Sequence, residues 1–309
     1  MTFLHFFAFG SIIPIFSLYL LNHLNFNGSQ VGTILAAGAI SSVASPFVSS
    51  FVADKLISSE RLFSLAHIFG SILMLFLYFS SDFYFIFWGY FVYKAFVGPT
   101  LPLADTILFH HLTDRNNYGK IRVWGTLGWI FAALFFGFFI MRQTGKLSHG
   151  LLLSAIVSLS VGIFSLSIPA TALSKDKTRQ LVPLESLKIL IRPQVLVLVL
   201  STMMIFFADR FYFYGSSPYL EHIGFSEEFI MPYLSIGQIL EIAAMLTLGY
   251  FMSRFRAKFV LIAGIIANIF RYSILAFTTS KLGALVAIAF HGVAYTFFFS
   301  AVFIFLDYQ

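Results

Sequence analysis

Apolar stretches, each close to the ~20 residues that carry an α-helix across a bilayer, follow one another along nearly the whole chain. Ten can be read, at about 2–22, 31–53, 62–80, 83–109, 121–141, 149–170, 195–219, 227–252, 259–279 and 283–305. In hydrocarbon every backbone N–H and C=O must find its partner inside the protein, so a spanning segment is a helix or a strand of a closed barrel. These runs are too long for barrel strands and lack their two-residue alternation. The fold class is therefore an all-α membrane protein. Only 10% of the residues are charged, against roughly 25% in a soluble domain. A soluble chain of this length could not hide so much apolar surface. The first span has neither a basic leader nor a small-residue cleavage site, so it reads as a retained helix. With no cysteine, thiol and disulfide chemistry are out.

The net charge of +6 taken alone suggests a nucleic-acid partner, but its distribution says otherwise. Thirteen of the 19 Lys and Arg residues fall in the loops 2–3, 4–5, 6–7 and 8–9, and only Arg142, Lys146 and Lys281 in the alternate loops. That asymmetry is the positive-inside pattern. It places the N-terminus in the cytoplasm, makes the lipid bilayer the partner and leaves no role for nucleic acid.

The longest polar connection, near residues 171–194, carries KDKTRQ and divides the chain. Residues 1–170 form a six-helix half and 195–309 a half with four helices. The halves echo one another: FVADKLISSERLFSLAHIFGSILMLF and YFMSRFRAKFVLIAGIIANIFRYSILAF each join two apolar helices by a short basic loop. Two related helical halves with a site near the midplane are the plan of many secondary transporters. A six-plus-six arrangement needs two more helices after Gln309, so the chain reads as truncated at its C-terminus.

Charges inside spans are the candidates for function, because a carboxylate at the bilayer centre costs about 2.5–3.5 kcal/mol or more. Glu241 is the only charged residue between Phe229 and Ser253. Gln238, three positions earlier, shares its helix face. A desolvated carboxyl that takes up a proton suits proton-coupled transport; the plainer alternative is a structural pairing, for instance with Arg271. In YGKIRVWGTLGW, Arg122, Thr126 and Trp129 stand at i, i+4 and i+7, one stripe of a helix. A guanidinium fork, a hydroxyl and an aromatic face suit a planar, oxygen-rich ligand, although Arg122 could equally be one more loop cation. His291, Tyr295 and Thr296 form a polar triplet in the tenth span. Asp209, beside Arg210, and Asp105, after the breaks at Pro99 and Pro102, are further proton-coupling candidates, and Lys94 faces a similar desolvation cost. Asp54, Lys55 and Arg61 read as a cytoplasmic loop motif. No nucleophile elbow, zinc-protease motif or phosphate loop occurs, so the chain is not read as an enzyme. The pair His110 and His111 has no partner at metal-ligand spacing, and no metal is expected.

ADK after span 2, IRVWGTLGW, SIGQILE, FRYSILAF and HGVAYTFFFSAVFIFLD together resemble the nucleoside:proton symporter family of the major facilitator superfamily. ADKLISSER also looks like a degraded form of the superfamily's G-x-x-x-D-R-x-G-R loop, matching at Asp54 and Lys55, with Ser50 and Ile57 replacing its glycines. The resemblance runs through essentially the whole chain in order. It implies a twelve-helix fold with a central cavity open alternately to either side, approached by Arg122 and Glu241. It also implies that Arg122, Thr126, Trp129, Gln238, Glu241, His291, Tyr295 and Thr296 line the substrate site. The expected function is import of a small polar solute, foremost a nucleoside, by a monomer in the bacterial cytoplasmic (inner) membrane, driven by the proton gradient without a cofactor. Where the better-known symporters of this family carry an Asp in span 10, this chain has Thr296. That departure keeps an aromatic-acid or sugar permease of a related branch open. A non-transporting membrane sensor or a non-functional remnant is the alternative of another class.

Overall fold

The computed structural model describes residues 1–112, 118–171 and 193–302, without the side chains at 54, 118–120 and 194. Most of the central loop expected near 171–194, and the end of the tenth span, lie outside the described residues, as does the side chain of Asp54. Every described element is helical. We label the longer helices α1 (Thr2–Gly10), α2 (Gly28–Lys55), α3 (Ser59–Tyr78), α4 (Phe83–Val97), α5 (Thr100–His111), α6 (Tyr118–Phe135), α7 (His149–Ser165), α8 (Pro193–His222), α9 (Glu227–Arg254), α10 (Ala257–Phe277) and α11 (Lys281–Tyr295).

Among the described residues eight helical stretches are long and apolar enough to cross a membrane: Thr2–His23, Gly28–Ala53, Ser59–Tyr78, Ile121–Thr144, Val195–His222, Glu227–Arg254, Ala257–Phe277 and Lys281–Ser300. His149–Ser165 is a shorter apolar helix. Two expected spans are not continuous. The first breaks after α1 into a 3₁₀ turn, Ile13–Ile15, and a π-helical end, Tyr19–His23. Pro14 sits in that turn, where its missing N–H and ring clash end the α-helix. The fourth divides into α4 and α5 at Gly98–Pro99 for the same reason.

Helix starts follow capping chemistry. The Asn27 side chain accepts from Gln30 N and the Gln30 side chain from Asn27 N, both at 3.0 Å, a reciprocal box that satisfies two orphan donors of α2. Asp82 caps α4 by accepting from Phe85 N at 2.8 Å. Large apolar side chains such as Phe207 and Leu246, both 79% exposed, face outward, as lipid contact requires.

The described residues cluster into two units, one drawn from Met1–Ala132 and Lys146–Arg192, the other from Ala133–Gly145 and Pro193–Gln309. In the first, α3 and α7 lie close: Ser64 Oγ donates to Gly162 O at 2.6 Å. In the second, α9 and α11 meet through glycines. A Cβ on Gly237 would press on His291, and one on Gly292 would collide with the backbone of Glu241. Small residues at such crossings let membrane helices approach closely, where packing replaces the hydrophobic drive available in water.

Candidate transport site

In the first unit, α6 carries the stripe read from sequence. Thr126 is buried and Trp129 half-buried, with Gly10 of α1 packed on the Trp129 backbone. The Arg122 guanidinium lies over the Phe6 ring at 4.2 Å. A Cβ at Gly125 would reach Arg122 Nη1 at 2.8 Å, so this glycine makes room for the fork. Arg122 Nη1 is buried and has no hydrogen-bond partner among the described residues. A cation on an aromatic face retains its donors, and a buried donor without a partner costs about 1–3 kcal/mol.

In the second unit, Gln238 and Glu241 of α9 are each 7% exposed. Gln238 Oε1 is likewise buried and unpartnered among the described residues. Two members of the polar triplet of the tenth span, His291 and Thr296, pack on this stretch of α9. His291 faces Gly237, and Thr296 Oγ1 donates to Glu241 O at 3.4 Å. His291 and Tyr295 hold ring centroids 5.9 Å apart.

Asp209, Arg271 and His291 form a buried network across α8, α10 and α11. Asp209 is 2% exposed and Arg271 0%. Arg271 Nη2 reaches Asp209 Oδ1 at 3.5 Å and donates to Tyr272 Oη at 2.6 Å. Arg271 Nη1 bonds His291 Nδ1. A guanidinium only donates, so Nδ1 accepts and the ring hydrogen of the neutral imidazole sits on Nε2. Tyr212 stacks on His291 at 5.0 Å and lies under Arg271 at 4.3 Å. Arg210 Nη2 takes the other Asp209 oxygen at 3.2 Å. The structure thus gives Asp209 two cationic partners, one its sequence neighbour and one from another helix.

The remaining candidates take varied places. Asp105 is half-buried on α5. Lys94 lies 5.4 Å from the Tyr90 ring and 6.0 Å from Tyr93, and Lys55 5.0 Å from Phe51, while Arg61 is exposed. Beside Arg61, sequence reading passed over Glu60. Its carboxylate is buried, accepts from Thr171 N and Oγ1 at 2.9 Å, and meets His111 Nε2 at 3.5 Å. His111 Nε2 also lies 3.0 Å from Pro169 O, so this histidine ties helix ends together. Among the described residues no cluster of three or more His, Cys, Asp or Glu could hold a metal ion.

A second omission is the pair His5 and His67, fully buried on α1 and α3. Each is a lone histidine in an apolar span, and that cost was the signal that could have found them.

The family model described as "Nucleoside H+ symporter" matches residues 1–309. The chain belongs to this family. It is 24% identical to the xanthosine permease of Escherichia coli (strain K12) over 96% of this chain and 76% of that one. It is 26% identical to nucleoside permease NupG of the same organism, over 90% of this chain and 70% of that one. A crystal structure of a NupG point mutant superposes with a TM-score of 0.86 at 22% identity, covering 100% of this chain and 81% of that one. That structural likeness establishes the fold, which is the major facilitator fold expected from sequence. As a member of the family the protein is a proton-coupled nucleoside transporter and not an enzyme.

Proposed function

We propose that the protein imports nucleosides with protons by alternating access, as a monomer in the bacterial cytoplasmic membrane with its N-terminus in the cytoplasm. Arg122 and Gln238 bind the ligand, Trp129 and Tyr295 stack on its base, and Glu241 carries the coupling proton. Two unsatisfied atoms, one in each unit, support this reading. Arg122 Nη1 is a buried donor and Gln238 Oε1 a buried acceptor, neither with a partner among the described residues. Nearly all buried polar atoms in native proteins are paired, and a nucleoside offers acceptors and donors to both. The basic bias of alternate loops supports the orientation. No cofactor is called for, since the proton gradient supplies the work.

The test is uptake of labelled uridine into proteoliposomes under an imposed proton gradient, with unlabelled nucleosides and phenylpropionate as competitors. Thr296 in place of a span-10 carboxylate is the departure that keeps the aromatic-acid alternative open, in which Arg122 would pair a substrate carboxylate. Competition by nucleosides alone supports the proposal; competition by phenylpropionate alone would replace it.

A further inference from the structure

We propose that His5 and His67 form a proton relay inside the membrane, a proton-binding site separate from the ligand residues. The inference rests on the reading that transport is proton-coupled. His5 Nδ1 and His67 Nε2 are 2.9 Å apart and both rings are fully buried. The outer nitrogens, His5 Nε2 and His67 Nδ1, are buried and have no hydrogen-bond partner among the described residues.

That arrangement has a definite chemistry. A neutral imidazole has one N–H and one lone pair. The shared bond uses one of each, which leaves a lone pair at one end of the pair and an N–H at the other. A proton arriving at the lone pair of His5 Nε2 lets the Nδ1 proton cross to His67 Nε2, and the proton on His67 Nδ1 leaves. One proton enters, one leaves, and both rings finish neutral in the opposite tautomer; before a second proton can follow in the same direction both rings must reorient, which turns the N–H of His5 inward and that of His67 outward.

The surroundings fit transit better than storage. Phe9 and Phe63 pack on His5 with centroids at 4.7 and 5.2 Å, and Phe63 on His67 at 4.6 Å. Besides its partner His67, the groups that act electrostatically on His5 are Arg122 from α6 and the Met1 ammonium from its own helix, both cations. Two cations oppose a lasting imidazolium but not a proton passing through. On α3, Glu60 is two turns before His67 and engaged by Thr171 and His111. The face of α7 toward α3 offers the neutral Gly162 carbonyl, already bonded to Ser64. If this site served packing alone, apolar rings would fill it without leaving two buried nitrogens unsatisfied. Phe6, next to His5, lies under the Arg122 guanidinium, so the relay runs beside the proposed ligand fork.

The test uses the full chain in proteoliposomes, wild type against His67→Gln and His5→Phe. Glutamine keeps a hydrogen bond but cannot exchange tautomers. The expected result is at least a tenfold loss of gradient-driven uridine accumulation with uridine counterflow within twofold of wild type. Unchanged accumulation, or counterflow falling in parallel, overturns the relay. A second measurement does not depend on transport: ¹⁵N spectra of the histidine-labelled protein in lipid. Two exchanging tautomers at both rings support the relay, and a single fixed tautomer at either ring refutes it. If wild type shows no proton-driven uridine uptake while the tautomers exchange, it is the transport reading that fails.

Discussion

Arg271 and Asp209, 62 positions apart, meet at 3.5 Å in the buried interior of the second unit. Removing Asp209 takes the carboxylate from the buried Arg271, and removing Arg271 leaves Asp209 with Arg210 alone. Breaking a buried pair typically costs about 3–5 kcal/mol, whereas replacing both members by apolar residues is often neutral. Arg210 also holds Asp209, at 3.2 Å, so loss of Arg271 falls at the lower end, about 3 kcal/mol. Arg271→Met is therefore expected to lower the unfolding temperature in detergent sharply. Asp209→Leu added to it should restore much of the loss. Additive losses in that cycle would show that the two side chains do not act as a pair.

How much of this was legible in sequence depends on the range of the interaction. Glu241 stood out because the cost of a charge in an apolar run is local. The break of the first span at Pro14 is equally local, yet the apolar run continues through it, and hydropathy does not register a missing N–H. The Asp209–Arg271–His291 network could not be read, because helix periodicity fixes which residues share a face and says nothing about which faces meet. Arg271 was weighed as a partner for Glu241, and the structure shows it bonded to His291 and Tyr272 and facing Asp209. His5 and His67 each carried the local signal of a histidine in an apolar span, but their pairing escaped for the same reason, since only the packing of α1 on α3 brings them together.

Close approach of α9 and α11 predicts a position-specific effect of a single methyl. A Cβ on Gly292 would collide with the Glu241 backbone, whereas one on Gly32 would meet nothing within 4 Å. Gly292→Ala should destabilise by about 1–3 kcal/mol through overpacking and depress transport by displacing Glu241. Gly32→Ala should be neutral or stabilising by up to about 1 kcal/mol, since alanine favours the helix. Thermal unfolding of the two variants in parallel checks this, and equal behaviour would mean that the helix crossing is not where the structure puts it.

The coupling role proposed for Glu241 separates two transport modes. Glutamine keeps the size and hydrogen-bonding capacity of the side chain but cannot release a proton. Glu241→Gln is expected to abolish uphill accumulation of uridine under a proton gradient, while exchange of internal for external uridine continues, because exchange needs no net proton movement. Retention of full uphill accumulation would remove Glu241 from the coupling role and direct attention to Asp105 and Asp209.

Arg122 tests the ligand fork itself. Its guanidinium is spread over the Phe6 ring at 4.2 Å with Nη1 free of hydrogen bonds among the described residues, a geometry that a lysine ammonium cannot copy, since it lacks the planar fork. Hydrogen bonds to charged groups contribute about 1.5–3 kcal/mol, so Arg122→Lys should weaken uridine binding by at least tenfold, and Gln238→Ala, which loses a neutral bond, by less. The protein should remain folded in both cases, because neither atom has a hydrogen-bond partner to lose among the described residues. Isothermal titration in detergent measures the affinities directly. If Arg122→Lys binds uridine as wild type does but unfolds at a lower temperature, the guanidinium serves the packing of α1 on α6 instead of the ligand.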